Sequence, residues 1–233
     1  MAVDTEKVYD CLIIGATFAA MGISAVLNEK CLIAERGLLA GYEFFNALNF
    51  GENYESPLRN EQSHELLKTF EEKGVFELGE IRLERAVSAY YSLLKNKNVL
   101  MNTSVVSKRK NGDIFSTEIF GASGFRTVHS KKIIDTTIIG SNIESIFFNI
   151  ITVDGKVKLP VKENNYTVAR AAVDAFLKTS GKRLLYSADC MEYKAKRNFY
   201  AENDIVYIPS CAFENPISAF DCAVTYAKTG DIK

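Results

Sequence analysis

Residues 8–35 read VYDCLIIGATFAAMGISAVLNEKCLIAE, and this stretch decides the fold. Its first part, Val8 to Ile14, is an almost continuous apolar run ended by a glycine, which is typical of a strand buried on both faces. Small and apolar residues at helical spacing follow from Thr17 to Asn28, and Lys30 to Ala34 is a second apolar run. A strand, a tight turn, a helix and a strand in so short a span predict a right-handed βαβ crossover.

The turn of this unit carries a degenerate dinucleotide-binding motif, Gly15-Ala16-Thr17-Phe18-Ala19-Ala20. A pyrophosphate can bind at such a helix N-terminus, because the first N–H groups are unpaired and the helix dipole favours anions. In the usual pattern G-x-G-x-x-G/A, Gly15 and Ala20 satisfy the first and third requirements. Thr17 departs from the second, because its methyl group crowds the phosphate while its hydroxyl can cap the helix or bind a phosphate oxygen.

Glu35 stands twenty positions after Gly15, at the end of the second predicted strand. An acidic side chain there accepts hydrogen bonds from the ribose hydroxyls of an adenosine and repels a 2′-phosphate. The motif, the small-residue helix and Glu35 together predict a nucleotide-binding site. The alternative is a βαβ unit that keeps its shape after losing the ligand.

The rest of the chain alternates helices and strands around an inserted meander. The meander extends from Val99 to Asp135, where apolar residues recur at every second position and Asn111-Gly112 marks a turn. The pattern predicts helices over 61–73, 80–95, 166–177 and 215–228, strands over 98–107, 113–120, 125–129, 132–136, 183–188 and 204–209, and a hairpin over 147–161.

Composition excludes several classes of protein. The chain has 47% hydrophobic residues, 28 basic against 29 acidic residues and a formal net charge of −1, so we expect a globular protein with no nucleic-acid partner. No apolar run is long enough to span a bilayer, and we expect no membrane association. The segment Met1 to Lys7 carries Asp4 and Glu6 and lacks the pattern of a secretory signal.

Five cysteines occur, never as C-x-x-C. An odd number without paired spacing favours free thiols in a reducing, cytoplasmic compartment. No grouping typical of a metal site or of a Ser/His/Asp triad is found, so no metal and no catalytic residue is predicted.

The chain resembles the FAD-dependent oxidoreductases of the glutathione-reductase-like flavoprotein superfamily. The matching segments, in the family's order, are YDCLIIGATFAAMGISAVL (9–27), CLIAERG (31–37), KKIIDTT (131–137) and DIVYIPSCAFENPISAFDCA (204–223). The resemblance implies an α/β, Rossmann-like FAD-binding fold with a parallel sheet, an inserted β-meander and a reduced middle region. The FAD/dinucleotide-binding domain would comprise residues 1–140 and 204–233, and a reduced substrate or cap region residues 141–203.

The resemblance also implies where FAD would lie. The adenine would meet the backbone at Val105, the segment after the meander strand would pass beneath the cofactor, and the last helix would point its N-terminus at the flavin. The predicted cofactor-binding residues are Gly15, Ala16, Thr17, Phe18, Ala19, Glu35, Arg36, Gly41, Val105, Thr136, Thr137, Asn215, Pro216 and Ile217.

The first functional hypothesis is therefore an FAD-dependent oxidoreductase, or a flavin-binding subunit of one, that acts on an unknown small substrate. It fits a homo- or hetero-oligomer, because the middle region between Ile138 and Asn203 is too short to enclose a large substrate alone. Tyr42, Phe44 and Phe45 would stack on the flavin, plug an empty site or pack in the core.

The second hypothesis is a non-catalytic pseudo-flavoprotein that serves as an interaction or structural subunit. Three departures from the family motivate it: Thr17, Ile138 in place of a glycine, and Ser210-Cys211 in place of a Gly-Asp pair. An NAD-linked enzyme is a third hypothesis, since Glu35 suits either adenosine, but the meander and the terminal helix argue against it.

Overall fold

A computed structural model of the chain describes residues 7–49, 51–77 and 80–231. The strands are β1 (Val8–Ile14), β2 (Cys31–Ala34), β3 (Phe76–Glu77), β4 (Glu80–Ile81), β5 (Val99–Leu100), β6 (Ser104–Asn111), β7 (Ile114–Gly121), β8 (Gly124–Asp135), β9 (Ile143–Thr152), β10 (Gly155–Val161), β11 (Leu184–Ser187), β12 (Glu192–Ala195), β13 (Tyr200–Glu202) and β14 (Ile205–Tyr207). The helices are α1 (Phe18–Leu27), α2 (Glu61–Glu72), α3 (Leu83–Leu94), α4 (Tyr166–Ser180) and α5 (Pro216–Thr229).

The larger sheet has eight strands, and its main path runs β13-β14-β8-β1-β2-β5. β1 pairs in parallel with both β2 and β8, and β14 pairs in parallel with β8. The hairpin β6–β7 joins this sheet through the antiparallel pair β7–β8. This mostly parallel sheet with an inserted meander confirms the predicted α/β, Rossmann-like architecture.

The strand β1 is buried on both faces, as its apolar run predicts. On one face Cys11 and Ile13 pack against the helices α1 and α5. On the other face Leu12 packs against the meander, where Phe115 and Val128 are buried. Because β1 and β2 are parallel and α1 directly follows β1, the carboxyl ends of both strands lie at the same edge of the sheet as the N-terminus of α1.

The helices α1 and α5 pack in close contact. A Cβ atom at Gly22 would lie 2.3 Å from the carbonyl oxygen of Phe220, so only glycine allows this approach. The contact holds the start of α5 at the same edge of the sheet as the start of α1. The family resemblance implied this arrangement.

A smaller antiparallel sheet lies within the predicted middle region. β9 pairs with β10, β11 and β12, and Ala169 and Val173 of α4 are buried against it. β13 falls within residues 141–203 but pairs with β14 in the larger sheet. The division at residues 140 and 204 remains a prediction.

Several predicted boundaries were wrong. The helix expected over 80–95 begins at Leu83, because Glu80–Ile81 pairs with Phe76–Glu77. The strands expected over 125–129 and 132–136 form the single strand β8, whose first half pairs with β7 and whose second half pairs with β1. β12 and β13 were not predicted.

Two expectations concern the N-terminus and the membrane. Residues 1–6, on which the expectation about a secretory signal rests, lie outside the described residues. Within the described residues, no helix has the length and apolar character needed to cross a membrane.

Candidate functional site

The turn between β1 and α1 is closed by threonine side chains. Gly15 has φ +90°, and a Cβ atom there would lie 2.6 Å from Cγ2 of Thr137. Thr17 is the N-cap of α1: its Oγ1 accepts from the Ala20 N–H (3.2 Å) and donates to Oγ1 of Thr136 (2.8 Å). The Thr17 side chain is therefore buried and acts as a helix cap, one of its two predicted roles.

A carboxylate of the chain itself lies at the N-terminus of α1. The Phe18 N–H and the Ser210 hydroxyl both donate to Oε1 of Glu43, at 3.0 and 2.7 Å, and the Ala19 N–H donates to Oγ of Ser210 (3.4 Å). Oε2 of Glu43 is buried without a hydrogen-bond partner among the described residues. Burial raises the pKa of Glu43 to about 7, although the Phe18 and Ser210 hydrogen bonds act in the opposite direction.

Glu35 also turns toward the backbone. Its Oε2 accepts from the Ala16 N–H (2.7 Å) and its Oε1 from the Gly37 N–H (2.6 Å). The side chain is only 3% exposed. The carboxylate that was predicted to hold a ribose thus binds two amides around the turn.

Aromatic side chains fill the space beneath the turn. The Phe18 ring lies 5.8 Å from Phe44, 5.5 Å from Phe45 and 4.4 Å from Tyr90, measured between centroids. The Tyr90 hydroxyl donates to the Ala16 carbonyl (2.8 Å). Phe44 and Phe45 therefore pack in the core, which is one of the three alternatives expected from the sequence.

The start of α5 is covered by the segment that follows the aromatic loop. Oδ1 of Asn215 accepts from the Ser218 N–H (2.8 Å), and its Nδ2 donates to the Glu52 carbonyl (2.7 Å). A Cβ atom at Gly51 would lie 2.7 Å from Cβ of Asn215. Pro216 and Ile217 are buried behind this contact.

Two cavities flank the loop that carries Glu43. An open cleft of about 550 Å³ is lined by Glu35, Arg36, Gly37, Leu38, Leu39, Tyr42, Asn46, Asp189 and Cys190. A closed cavity of about 20 Å³ is lined by Thr17, Tyr42, Glu43, Thr136, Thr137, Ile138, Met191, Tyr193 and Cys211.

The cavities bring together five of the predicted site residues. Glu35 and Arg36 line the cleft, and Thr17, Thr136 and Thr137 line the closed cavity. The other predicted residues line neither of these two cavities: Gly15, Ala16, Phe18, Ala19, Gly41, Val105, Asn215, Pro216 and Ile217.

The smaller sheet rests directly on the loop that carries Glu43. Nδ2 of Asn149 donates to the Ala47 carbonyl (2.7 Å), and the Asp189 N–H donates to the Asn46 carbonyl (2.8 Å). The Cys190 thiol donates to the Tyr42 carbonyl, with 3.6 Å between sulfur and oxygen. These bonds join the loop to the smaller sheet and to the segment between β11 and β12.

One cysteine lines each cavity, Cys190 the open cleft and Cys211 the closed cavity. Burial raises the pKa of Cys190 and of Cys211 to about 12, so both remain protonated at neutral pH. Within the described residues no group of three or more His, Cys, Asp or Glu side chains could hold a metal ion.

The residues at the α1 turn, as folded, do not fit the diphosphate of FAD. The N–H groups of Ala16, Phe18, Ala19 and Ala20 all donate to side chains of the chain itself. A diphosphate would have to displace Glu43, and it would be repelled by the negative charge of Glu35 and, above pH 7, by that of Glu43. Glu43 was not predicted; its only signal is an acidic residue inside the aromatic run GYEFF (41–45).

Comparisons with known proteins bear on the fold. No protein-family model matches the chain, and no curated protein matches it. Solved structures do match: CabE, an aromatic hydroxylase from angucycline biosynthesis, aligns with a TM-score of 0.57 at 11% identity. The alignment covers 95% of this chain but only 61% of CabE.

Two further structures match over similar shares of this chain. The p-nitrophenol 4-monooxygenase PnpA from Pseudomonas putida DLL-E4 aligns with a TM-score of 0.52 at 11% identity, covering 95% of this chain and 77% of PnpA. A flavoprotein/dehydrogenase from Cytophaga hutchinsonii aligns with a TM-score of 0.51 at 12% identity, covering 97% and 80%. At such identities the likeness establishes architecture alone. The chain therefore has the Rossmann-like FAD-binding fold.

Proposed function

We propose that this chain is a non-catalytic pseudo-flavoprotein, which uses the fold as an interaction or structural subunit. The observation that carries the proposal is the Glu43 carboxylate, hydrogen-bonded to the Phe18 N–H where a cofactor diphosphate would bind α1. An anion that already occupies a helix N-terminus removes the donors and the favourable field that a second anion needs.

The closed cavity supports the same proposal. Its volume of about 20 Å³ is close to the space that one water molecule needs, and far below that of a three-ring flavin. Met191 and Tyr193, from the segment around β12, line it together with Cys211. A flavin ring at this place would have to move the smaller sheet.

The proposal extends to partners and compartment. The chain spans 61% of the length of CabE. The middle region between Ile138 and Asn203 is too short to enclose a large substrate alone, which favours a site completed by another chain, in a homo- or hetero-oligomer. The free state of all five cysteines favours a reducing, cytoplasmic compartment.

The test is FAD binding by the purified full-length chain. We expect no flavin absorption bands and no change in melting temperature on adding FAD, because Glu43 occupies the Phe18 N–H and the neighbouring N–H groups donate to other side chains of the chain. Flavin bands in the purified protein, or a rise in melting temperature with FAD that Glu35→Ala abolishes, would contradict the proposal. Glu55→Ala, an exposed carboxylate in the loop before α2, is the control for the loss of one charge.

A second candidate is the FAD-dependent oxidoreductase of the glutathione-reductase-like type, acting on a small substrate. Glu35 and Arg36 favour it, since both line the open cleft of about 550 Å³ beside the α1 turn, on the side predicted for the adenosine. If the chain is an FAD-dependent oxidoreductase, the Glu43 side chain moves away from the N-terminus of α1 when the cofactor binds.

Titration with FAD separates the two candidates. The oxidoreductase predicts saturable quenching of flavin fluorescence by the wild type and a loss of about tenfold in affinity in Glu35→Ala, the scale of one charged hydrogen bond. The pseudo-flavoprotein predicts no quenching with either protein. A parallel titration with NAD tests the NAD-linked alternative.

A further inference from the structure

Glu43 occupies the place that a phosphate would take at α1. One of its oxygens accepts from a first-turn N–H of the helix, that of Phe18 (3.0 Å), and from a hydroxyl, that of Ser210 (2.7 Å). Backbone N–H groups and hydroxyls at a helix N-terminus are the donors that bind phosphate groups in proteins. Glu43 reaches them from the loop after Gly41 and not from α1 itself.

The N-cap of α1 is Thr17 and not Glu43. Thr17 already caps α1 through the Ala20 N–H (3.2 Å). Glu43 is 7% exposed, and its Oε2 is buried with no partner among the described residues. A buried carboxylate with one unpaired oxygen is an unfavourable way to stabilise a helix end, so its position calls for another explanation.

The two cavities adjoin near this position. Tyr42 lines both the open cleft and the closed cavity, and Glu43 lines the closed cavity. The open cleft therefore reaches the residue next to the carboxylate at the α1 N-terminus.

We infer, on the basis of the proposed function, that Glu43 is an internal substitute for a phosphate group and is the residue that closes α1 to anionic ligands. Glu43→Ser removes the carboxylate and releases the Phe18 N–H and the Ser210 hydroxyl. One phosphate group then binds in the space that the Glu43 carboxylate has left, and the turn between β1 and α1 becomes an anion-binding site.

The experiment measures binding of inorganic phosphate to the full-length chain by calorimetry, at an ionic strength held constant with sodium chloride. We expect Glu43→Ser to bind phosphate about tenfold or more tightly than the wild type, because a like charge is lost and two donors are freed. Glu43→Gln, which loses the charge but fills the same space, should show a smaller gain. The control Glu55→Ser removes an exposed charge and should bind phosphate as the wild type does.

A folded Glu43→Ser that binds phosphate no more tightly than the wild type would overturn the inference. If Glu43→Ser does not fold, Glu43→Gln decides, and a phosphate affinity equal to that of the wild type overturns the inference. If the proposed function is wrong, the wild type binds FAD. That result is measured separately from the binding of phosphate. A wild type without FAD binding and a Glu43→Ser without phosphate binding would refute only the role of Glu43.

Discussion

Two helices of this protein, α1 and α2, begin at a buried carboxylate supplied by a distant segment. At α2, Asp221 of α5 accepts from the Arg59 N–H (3.2 Å), the Asn60 N–H (3.1 Å) and the Asn60 side-chain amide (3.0 Å). Both oxygens of Asp221 accept, since its Oδ2 is 3.2 Å from the Arg59 nitrogen. At α1, only one oxygen of Glu43 has partners among the described residues.

This difference distinguishes a carboxylate that makes a structural contact, Asp221, from one that takes the place of a ligand, Glu43. Asp221 joins the start of α2 to α5, and its oxygens are well paired, as buried carboxylates in folded proteins usually are. Glu43 pairs incompletely and at a helix that has its own cap in Thr17. The α2 site is built for stability, whereas the α1 site keeps the donors of an anion site with a carboxylate in it.

The largest effect should follow removal of the α2 carboxylate. Asp221→Ala leaves the N–H groups of Arg59 and Asn60 without their acceptor, whereas the Asn60 side chain keeps the Asp221 carbonyl and the Thr225 hydroxyl. We expect a loss of about 4 kcal/mol in the free energy of unfolding. Urea unfolding measures it, with the exposed Asp113→Ala as the control. A loss below about 1 kcal/mol would remove the contrast between the two helix ends.

A pH series should separate the α1 carboxylate from that of α2. Burial, helped by repulsion from Glu35, raises the pKa of Glu43 from 4.5 to about 7 in the folded chain. Between these values the folded chain binds a proton that the unfolded chain has lost. Wild-type stability therefore falls as the pH rises through this window and levels off above it. Glu43→Gln lacks this titration, so its stability relative to the wild type should rise by about 3 kcal/mol across the window.

Urea unfolding of the wild type and Glu43→Gln at matched pH values checks this prediction. Taking the difference between the two proteins removes the contribution of groups that titrate alike in both. A difference that stays constant from below pH 4.5 to above pH 7 would show that Glu43 ionises as in an unfolded chain. The buried carboxylate at α1 would then be well accommodated despite its incomplete pairing.

The sequence predicted those structural elements that depend on the local pattern of apolar residues. The period of the apolar residues and the glycine at position 15 place β1, the turn and α1 almost to the residue, because strand and helix periods are local properties. Thr17 was expected to cap the helix or bind a phosphate, and the cap is what forms. The parallel sheet with its inserted meander also followed, through the family resemblance.

The occupant of the α1 N-terminus could not be predicted in this way. Glu43 lies in a loop without periodicity, and its contact with Phe18 joins residues 25 positions apart in the chain. The same holds for Asp221 and Asn60, which lie on separate helices. Such contacts between distant segments depend on tertiary packing, which a single sequence does not encode in any local signal.

The smallest effect should come from the cap of α1 itself, and it decides whether Glu43 is dispensable as a cap. Thr17→Ala removes the acceptor of the Ala20 N–H and the hydrogen bond to Thr136, and should cost about 1 kcal/mol in the free energy of unfolding. Thr17→Ser keeps the hydroxyl and should stay close to the wild type in the same urea titration. If Thr17→Ala costs nothing while Glu43→Gln destabilises the chain above pH 7, then Glu43 is the true cap of α1. The two helix ends would then be alike, and the incomplete pairing of Glu43 would no longer point to a replaced ligand.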